Sequence, residues 1–187
     1  MRSRRFAIEP YTTGSMIKET RKKMGLTQRE FAQFVNVSKP TVERWEMSED
    51  KITGPIVTVL AMIMREGELP AKMELPASTY PLRLFYMYEN TVCTVIDVDE
   101  IGRRVLIHNY CDNLLMRAFG RNIEPSFEEY EDFLRSRCFP ESRDKVKLEL
   151  ARLNIPFYDP TLIIEKTQGR MADDRFWIRI EKVKDHG

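Results

Sequence analysis

The chain of 187 residues is long enough for one large domain or two small ones, and 42% apolar and 32% charged residues are typical of a globular protein with a buried core. Its net charge is +1, no apolar run is long enough to span a bilayer, and the amino terminus lacks a signal-peptide pattern. The three cysteines (Cys93, Cys111 and Cys138) share no close spacing, so neither a disulfide framework nor a zinc site is expected, and a reducing cytoplasm is the default location.

The chain begins with a basic segment, residues 1–13. It carries three arginines, Arg2, Arg4 and Arg5, followed by the letters FAIEPY. One interpretation is a frayed basic tail. The other is an arm that contacts phosphates or the minor groove of a nucleic acid beside a main binding element. The sequence leaves both interpretations open.

A first helix is predicted from Gly14 to Met24, and Gly25 is expected to end it because glycine is common immediately after the last helical turn. The residues that the helical spacing places inward are Ile17, Thr20 and Met24. The basic residues that it places outward are Lys18, Arg21 and Lys22. The segment therefore has the pattern of one helix of a small bundle.

The segment from Gly25 to Glu46, GLTQREFAQFVNVSKPTVERWE, is predicted to form two short helices joined by a tight turn. Thr27 and Glu30 have the spacing of a capping box. Asn36 tolerates the left-handed backbone of a sharp turn, and Ser38 can cap the second helix. Pro40 suits the first turn of that helix. The apolar residues placed inward are Phe31, Ala32, Val35, Val37, Val42 and Trp45.

This segment resembles the helix-turn-helix of phage-repressor-type regulators, the Cro/repressor or XRE family, over about residues 17–64. The residues that match the family pattern are Gln28, Ala32, Val42 and Trp45, and the one departure is Asn36, where glycine is usual. The resemblance implies a partner, double-stranded DNA, that is read in the major groove. Because single units of this kind bind weakly and paired half-sites supply affinity, we also expect a homodimer.

In such motifs the exposed residues near the start of the second helix meet base edges. Arg44 is the first choice for a bidentate contact to guanine, and Lys39 suits either guanine or phosphate. Gln28 would bind a phosphate, as the matching residue does in the family. The full set of expected DNA-binding residues is Thr27, Gln28, Ser38, Lys39, Pro40, Thr41, Glu43 and Arg44. The alternative for all of them is an exposed polar face on a small helical bundle.

Charge is unevenly distributed along the chain. Residues 1–45 carry an excess of six positive charges, whereas residues 71–187 carry a deficit of two. Positive charge is therefore concentrated in the part that resembles a DNA-binding domain, as phosphate contact requires. The carboxy-terminal part is not expected to be a second nucleic-acid surface.

A nearly all-apolar helix is predicted over Thr53 to Met64, and its TGPIVTVLAMI letters resemble the SGPA-plus-leucines helix of antitoxin-type members that pair with RNase toxins. A helix that is apolar on all sides is expected to pack under the motif and to meet a second domain or subunit. Residues 67–81 contain three prolines and few periodic apolar residues, which predicts a linker. The expected domains are 1–66 and 82–187.

The carboxy-terminal half has the pattern of a small α+β domain. Strands rich in β-branched and aromatic residues, separated by turns, predict an antiparallel meander over residues 82–88, 91–98 and 103–110. Helices are predicted over 126–138 and 142–153, and late strands over 162–165 and 176–180. The predicted fold class is therefore an all-α helix-turn-helix domain followed by a small α+β domain with an antiparallel sheet.

Few residues of this half suggest catalysis. His108 lies in a predicted strand and the only other histidine, His186, is at the chain end, so a solvated or satisfied histidine is preferred over a catalyst. Asp97 and Asp99 would share a strand face that could hold a metal ion, but no further ligand cluster follows. No glycine-rich phosphate loop, zinc spacing or nucleophile elbow is present. We expect no enzyme, no metal site and no cofactor.

Two functional hypotheses follow. The first is a sequence-specific DNA-binding repressor or autoregulator, cytoplasmic and of bacterial or phage origin, whose second domain senses, dimerises or docks a partner. The second is a toxin-neutralising antitoxin or a phage anti-defence (anti-CRISPR-like) protein. In that case residues 82–187 bind a protein target, and the amino-terminal domain only autoregulates.

Overall fold

The structure, a computed structural model, describes residues 6–67, 69–78 and 80–182. The chain divides into two compact units, Met1–Leu75 and Pro76–Gly187. The boundary falls within residues 67–81, where the sequence predicts a linker. That segment also contains a short helix that the sequence does not predict.

The first unit is helical, which confirms this part of the predicted fold class. Its helices are α1 (Gly14–Lys23), α2 (Gln28–Phe34), α3 (Lys39–Met47), α4 (Pro55–Arg65) and α5 (Leu69–Met73). The first three helices begin at hydroxyl caps, Thr13, Thr27 and Ser38, each of which accepts the backbone N–H of the residue three positions later. Such a cap satisfies one of the free N–H groups at a helix start and contributes about 1 kcal/mol.

The core of this unit lies between α1, α2, α3 and α4. Ile17, Phe31 and Val42 are fully buried there, and a fully buried side chain of this kind contributes about 1.5–3 kcal/mol. The start of helix α1 packs directly against the end of α3. A Cβ atom at Gly14 would collide with the carbonyl oxygen of Trp45. Glycine at position 14 is therefore a packing requirement.

Helix α4 is amphipathic in its burial, although its sequence is apolar nearly all round. The residues that it buries in the core are Ile56, Val57, Leu60 and Ile63. Met62 and Met64 are 55% and 67% exposed. The contact that the sequence predicts for this second face, with another domain or subunit, stays a prediction.

The second unit is an α+β structure with an antiparallel sheet, as predicted. Its strands are β1 (Leu82–Tyr88), β2 (Thr91–Asp99), β3 (Arg104–Asn109) and β4 (Phe176–Lys182), in the order β3-β2-β1-β4. The helices are α6 (Phe127–Ser136), α7 (Val146–Leu153) and α8 (Pro160–Thr167). The predicted meander thus forms the first three strands, and β4 pairs with β1 on the other side.

The two faces of the sheet carry different clusters. Leu84 and Ile96 belong to the main core, which also contains Tyr130 of α6 and Ile163 and Ile164 of α8. The residues of the cluster on the opposite face are Phe85, Met87 and Val95. This separation follows from the alternation of side chains along a strand. All three helices contribute buried residues to the main core.

One predicted strand is wrong. Residues 162–165 lie in α8, not in a late strand, because the Asp159 carboxylate caps the Leu162 N–H at 2.9 Å and Pro160 occupies the first helical turn. The β-branched run in this segment suggested a strand, but Ile163 and Ile164 fill the core from a helix. Helix α7 also begins later than predicted, after Lys145 in a left-handed conformation (φ 62°).

Candidate nucleic-acid interface

The predicted turn between α2 and α3 is present in detail. Asn36 has a left-handed backbone with φ of 55°, and the Val37 N–H donates to the Ala32 carbonyl at 2.9 Å. The Ser38 hydroxyl then accepts the Thr41 N–H at 3.3 Å and starts α3. Together these contacts fix the direction in which α3 leaves the turn.

The outward face of α3 carries most of the predicted DNA-binding residues. Lys39, Pro40 and Arg44 are exposed, and Thr41 and Glu43 are half-buried. The Lys39 ammonium pairs with the Glu43 carboxylate at 2.7 Å, whereas Arg44 has no hydrogen bond or ion pair within the described part of the chain. Arg44 can therefore reach a ligand directly, while Lys39 must first leave an exposed pair that is worth about 0.3–0.5 kcal/mol.

Two of the predicted contact residues also serve as helix caps. The Thr27 hydroxyl accepts the Glu30 N–H at 3.3 Å, and the Glu30 carboxylate accepts the Thr27 N–H at 2.7 Å, which completes the predicted capping box. The Ser38 hydroxyl shares a 2.8 Å hydrogen bond with the Thr41 hydroxyl. Both caps are exposed, so each hydroxyl combines a structural role with access to a ligand.

Gln28 belongs to a hydrogen-bonded group that joins three helices. Its side-chain amide donates to the Glu46 carboxylate at 2.9 Å. The same carboxylate accepts two hydrogen bonds from the Arg21 guanidinium, at 2.6 and 3.0 Å, and the third Arg21 nitrogen donates to the Leu26 carbonyl at 2.8 Å. The group ties the end of α1 and the start of α2 to the last turn of α3, and so orients the outward face of α3.

The prediction that Arg21 faces outward is wrong. Its side chain is only 12% exposed and that of Glu46 only 4%. Sequence reasoning missed this pair because the partners are 25 residues apart, and Arg21 lies in a run of basic residues that resembles a solvated helix face. No local pattern marks Glu46 as its partner.

The charges of this group are mutually stabilised. Burial alone raises the pKa of Glu46, but the hydrogen bonds from Arg21 and Gln28 outweigh it, so that the pKa lies below its ordinary value. The hydrogen bonds to Glu46 raise the pKa of Arg21, and burial opposes them. Both groups are therefore charged at neutral pH.

Further basic side chains surround this region in sequence. The exposed ones are Lys18, Lys22, Lys23 and Arg29, and they account for much of the positive excess of this part of the chain. The three arginines of the predicted amino-terminal arm, Arg2, Arg4 and Arg5, lie outside the described residues. Its later part is fixed on the first unit, because Thr12 and Ile52 exchange backbone hydrogen bonds at 2.8 and 2.9 Å.

The strand carboxylates that were considered as metal ligands have other partners. The Arg83 guanidinium donates to both oxygens of the buried Asp97 carboxylate, at 2.6 and 2.7 Å. The Asp99 carboxylate pairs with Arg104 at 2.6 Å. Over the described ranges, no three histidine, cysteine, aspartate or glutamate side chains form a group that could hold a metal ion.

His108 lies on the same strand face as Leu106 and Tyr110, and it is exposed. Its ring centroid is 4.7 Å from that of Tyr110. The second histidine, His186, lies outside the described residues. The position of His108 agrees with the interpretation of a solvated histidine.

Four packed helices, a sharp turn between α2 and α3, and an outward basic face on α3 define a helix-turn-helix DNA-binding domain. Residues 17–65 match the helix-turn-helix family model, which confirms the predicted resemblance. This segment, about a quarter of the chain, is an XRE-type helix-turn-helix domain, and the match supports DNA binding by the first unit.

The second unit has no family match. No curated protein and no solved structure matches the chain. Of the helices within residues 6–67, 69–78 and 80–182, none is long and apolar enough to cross a membrane.

Proposed function

We propose that the protein is a sequence-specific transcriptional repressor and autoregulator that reads the major groove of double-stranded DNA with α3. The observation that carries this proposal is the exposed Arg44, whose side chain has no hydrogen bond or ion pair to any described residue, on a helix whose last turn Glu46 joins to α1 and α2. An exposed guanidinium that does not have to break an ion pair can make a bidentate contact with guanine at no such cost.

The other predicted residues have supporting roles in this proposal. Lys39 leaves its pair with Glu43 to contact a phosphate or guanine, and Pro40 offers an apolar contact, for example to a thymine methyl. Gln28 uses one amide hydrogen for Glu46, and the second hydrogen of the same amide group remains for a phosphate. Gln28 would then link the orientation of α3 to the position of the DNA backbone.

The proposal includes a homodimer, since paired half-sites multiply the affinity of two weak units. A groove of about 640 Å³ on the first unit supports it, because Phe6, Met16 and Met64 line this groove and their apolar side chains are exposed. A second copy of this chain would remove those side chains from water, which favours association at about 25 cal/mol per Å² of apolar surface buried.

Footprinting of the full chain on the DNA upstream of its own reading frame tests the proposal. We expect two protected half-sites whose centres lie about one helical turn apart, or a multiple of it. Arg44→Ala should lose the protection, while Arg152→Ala, the same change at an exposed arginine of α7, should keep it. Equal binding of both variants to any DNA, with no protected site, would contradict the proposal.

A second candidate function is the binding of a protein target by the second unit, as in a toxin-neutralising or anti-defence protein. The observation that favours it is a set of strongly exposed apolar side chains in this unit: Ile101 and Ile123 in loops, and Leu115 in a short 3-10 helix (Leu114–Met116). Exposed apolar side chains of this size are common at protein-binding surfaces.

Coexpression with the product of the adjacent reading frame separates the two candidates. If the second function is the main one, Arg44→Ala should still neutralise that product, whereas Ile101→Lys combined with Leu115→Lys should not. The repressor proposal expects the reverse pattern in a reporter assay on the protein's own promoter. We propose no enzymatic activity and no cofactor for either unit.

A further inference from the structure

Two of the cysteines are neighbours in the folded second unit, although 18 positions separate them in the sequence. Cys93 lies in β2 and is fully buried, and Cys111 follows the end of β3 and is half-buried. The Tyr110 N–H donates to the Cys93 carbonyl at 2.9 Å, and the Cys111 sulfur lies 3.6 Å from the same carbonyl oxygen. Cys93 belongs to the main core of the second unit and Cys111 packs against that core, so both side chains lie on the same face of the sheet.

We propose that Cys93 and Cys111 form a dithiol site that hydrogen peroxide converts into an intramolecular disulfide. Residues opposite each other on antiparallel strands have Cα atoms about 4.5–5.5 Å apart. Cys111 is one residue beyond Tyr110, which is opposite Cys93, and with a strand rise of about 3.4 Å this offset gives a Cα separation of about 6 Å. Disulfides join Cα atoms about 4.4–6.8 Å apart. All three cysteines are free thiols in this structure, which is the reduced state of the site.

The surroundings assign different roles to the two thiols. Cys111 is the one that solvent reaches, and the Arg117 guanidinium fixes its backbone by donating to the Cys111 carbonyl at 2.7 Å. Solvent access is what a thiol needs for peroxide to attack it. Burial raises the pKa of the Cys93 thiol to about 11, with a smaller contribution from Cys111. Cys93 is protonated at neutral pH, and as the thiol next to Cys111 it resolves the first product by giving its proton to the hydroxide that leaves the Cys111 sulfur.

The reaction balances without any group that the protein lacks. The Cys111 thiolate attacks one peroxide oxygen, the O–O bond breaks, and Cys111 becomes a sulfenic acid while hydroxide leaves and takes up a proton. The Cys93 sulfur then attacks the Cys111 sulfur, the S–O bond breaks, and the S–S bond forms. The Cys93 proton leaves with the departing hydroxide as water. Two thiols and one peroxide thus give one disulfide and two waters.

Cys138 provides an internal control. It is buried after α6, where its sulfur lies 3.6 Å from the Pro160 carbonyl oxygen. Burial raises the pKa of its thiol to about 12, aided by the charge of Asp159 and opposed by that of Arg137. A buried, protonated thiol without a neighbouring thiol has no route to a disulfide within the folded chain.

Peptide mapping of the full chain tests the proposal. Trypsin cleaves after Arg83, Arg103, Arg104 and Arg117, so Cys93 and Cys111 fall on separate peptides, 84–103 and 105–117. After treatment of the folded chain with a small excess of peroxide and alkylation under denaturing conditions, these two peptides should be joined. The mass of the linked pair should be two hydrogens below the summed masses of the two reduced peptides, and dithiothreitol should separate them. Cys138 should carry the alkyl group.

Three variants and an unfolded control test which cysteine reacts first and whether the linkage requires the folded chain. Cys138→Ser should form the same linked pair. Cys93→Ser should accumulate a Cys111 sulfenic acid that dimedone traps, and Cys111→Ser should leave Cys93 unmodified. In urea, linkages to Cys138 should appear at the expense of the 93–111 pair. The proposal is overturned if dimedone traps Cys111 in the unsubstituted chain without a linked pair, or if the linkage forms only between chains.

Discussion

The carboxylate of Glu46 accepts the Arg21 Nε–H at 2.6 Å, so that a residue in the last turn of α3 is bound to a residue in the last turn of α1. Gln28 at the start of α2 donates to the same carboxylate. This one carboxylate thus joins the three helices and orients the outward face of α3, which carries Arg44.

Removal of this carboxylate should destabilise the first unit strongly. Glu46→Ala leaves the partly buried Arg21 guanidinium without its carboxylate partner, which costs about 1–3 kcal/mol. The measurement is urea unfolding followed by Trp45 fluorescence in a Trp177→Phe background, since Trp45 and Trp177 are the two tryptophans of the chain.

Glu43→Ala is the matched control, because it removes the acid of an exposed pair on the same helix. We expect it to cost at most about 0.5 kcal/mol. Equal costs for the two variants would show that the Glu46 group does not hold the helices together.

Because of the Glu46 carboxylate, we expect the free energy of unfolding to depend on pH in the acid range. Because the pKa of Glu46 is lowered in the folded state, its contribution is fully present above the ordinary value of 4.5 and is lost as the pH falls through the lowered folded pKa. The difference in unfolding free energy between the unsubstituted chain and Glu46→Gln should therefore be constant near neutral pH and shrink below about pH 4.5. A difference that grows on acidification would have the wrong sign.

Features whose partners are close in sequence could be predicted. The capping boxes at Thr27 with Glu30 and at Ser126 with Glu129 are both present, since three residues and one hydroxyl define them. The left-handed turn at Asn36 is also present, because few residue types tolerate that backbone.

Features whose partners are distant in the sequence could not be predicted. The Arg21–Glu46 pair and the neighbouring thiols of Cys93 and Cys111 arise only when helices or strands are brought together, and no spacing rule points to either. The error at residues 162–165 has a different origin. Asp159 followed by Pro160 is a helix-start signal in the sequence, and it outweighs the short β-branched run that favours a strand.

Arg44→Ala should weaken binding to the operator by about 1–3 kcal/mol, that is about 5- to 150-fold, and relax selection at one base pair. Gln28→Ala should instead weaken binding about equally on all sequences, since its proposed contact is a phosphate. Anisotropy titrations on a set of operators with single base changes separate these patterns. A uniform loss for Arg44→Ala would place that residue on the backbone and not on a base.

Glu43→Gln should strengthen DNA binding. It removes a negative charge from the outward face of α3 and frees the Lys39 ammonium, which now pairs with Glu43 at 2.7 Å. In the proposed complex Lys39 leaves this pair in either protein, so the variant saves the cost of opening it, about 0.3–0.5 kcal/mol. The measurement is a titration of both proteins on the operator at one salt concentration, with Glu131→Gln in α6 as a control that should leave the affinity unchanged. An unchanged affinity for Glu43→Gln would mean that Lys39 does not leave the pair to contact DNA.

Met16→Lys combined with Met64→Lys should convert the proposed homodimer into a monomer, because both side chains border the exposed apolar groove of the first unit. Sedimentation measures the change, and Leu115→Lys, at an exposed apolar residue of the second unit, is the control that should remain dimeric.

The added lysines make the DNA measurement informative. Two extra positive charges favour phosphate binding on their own, so a fall in operator affinity can only reflect the loss of the paired half-site contact. A double variant that binds the operator more tightly and still sediments like the unsubstituted chain would rule out this groove as the dimer surface.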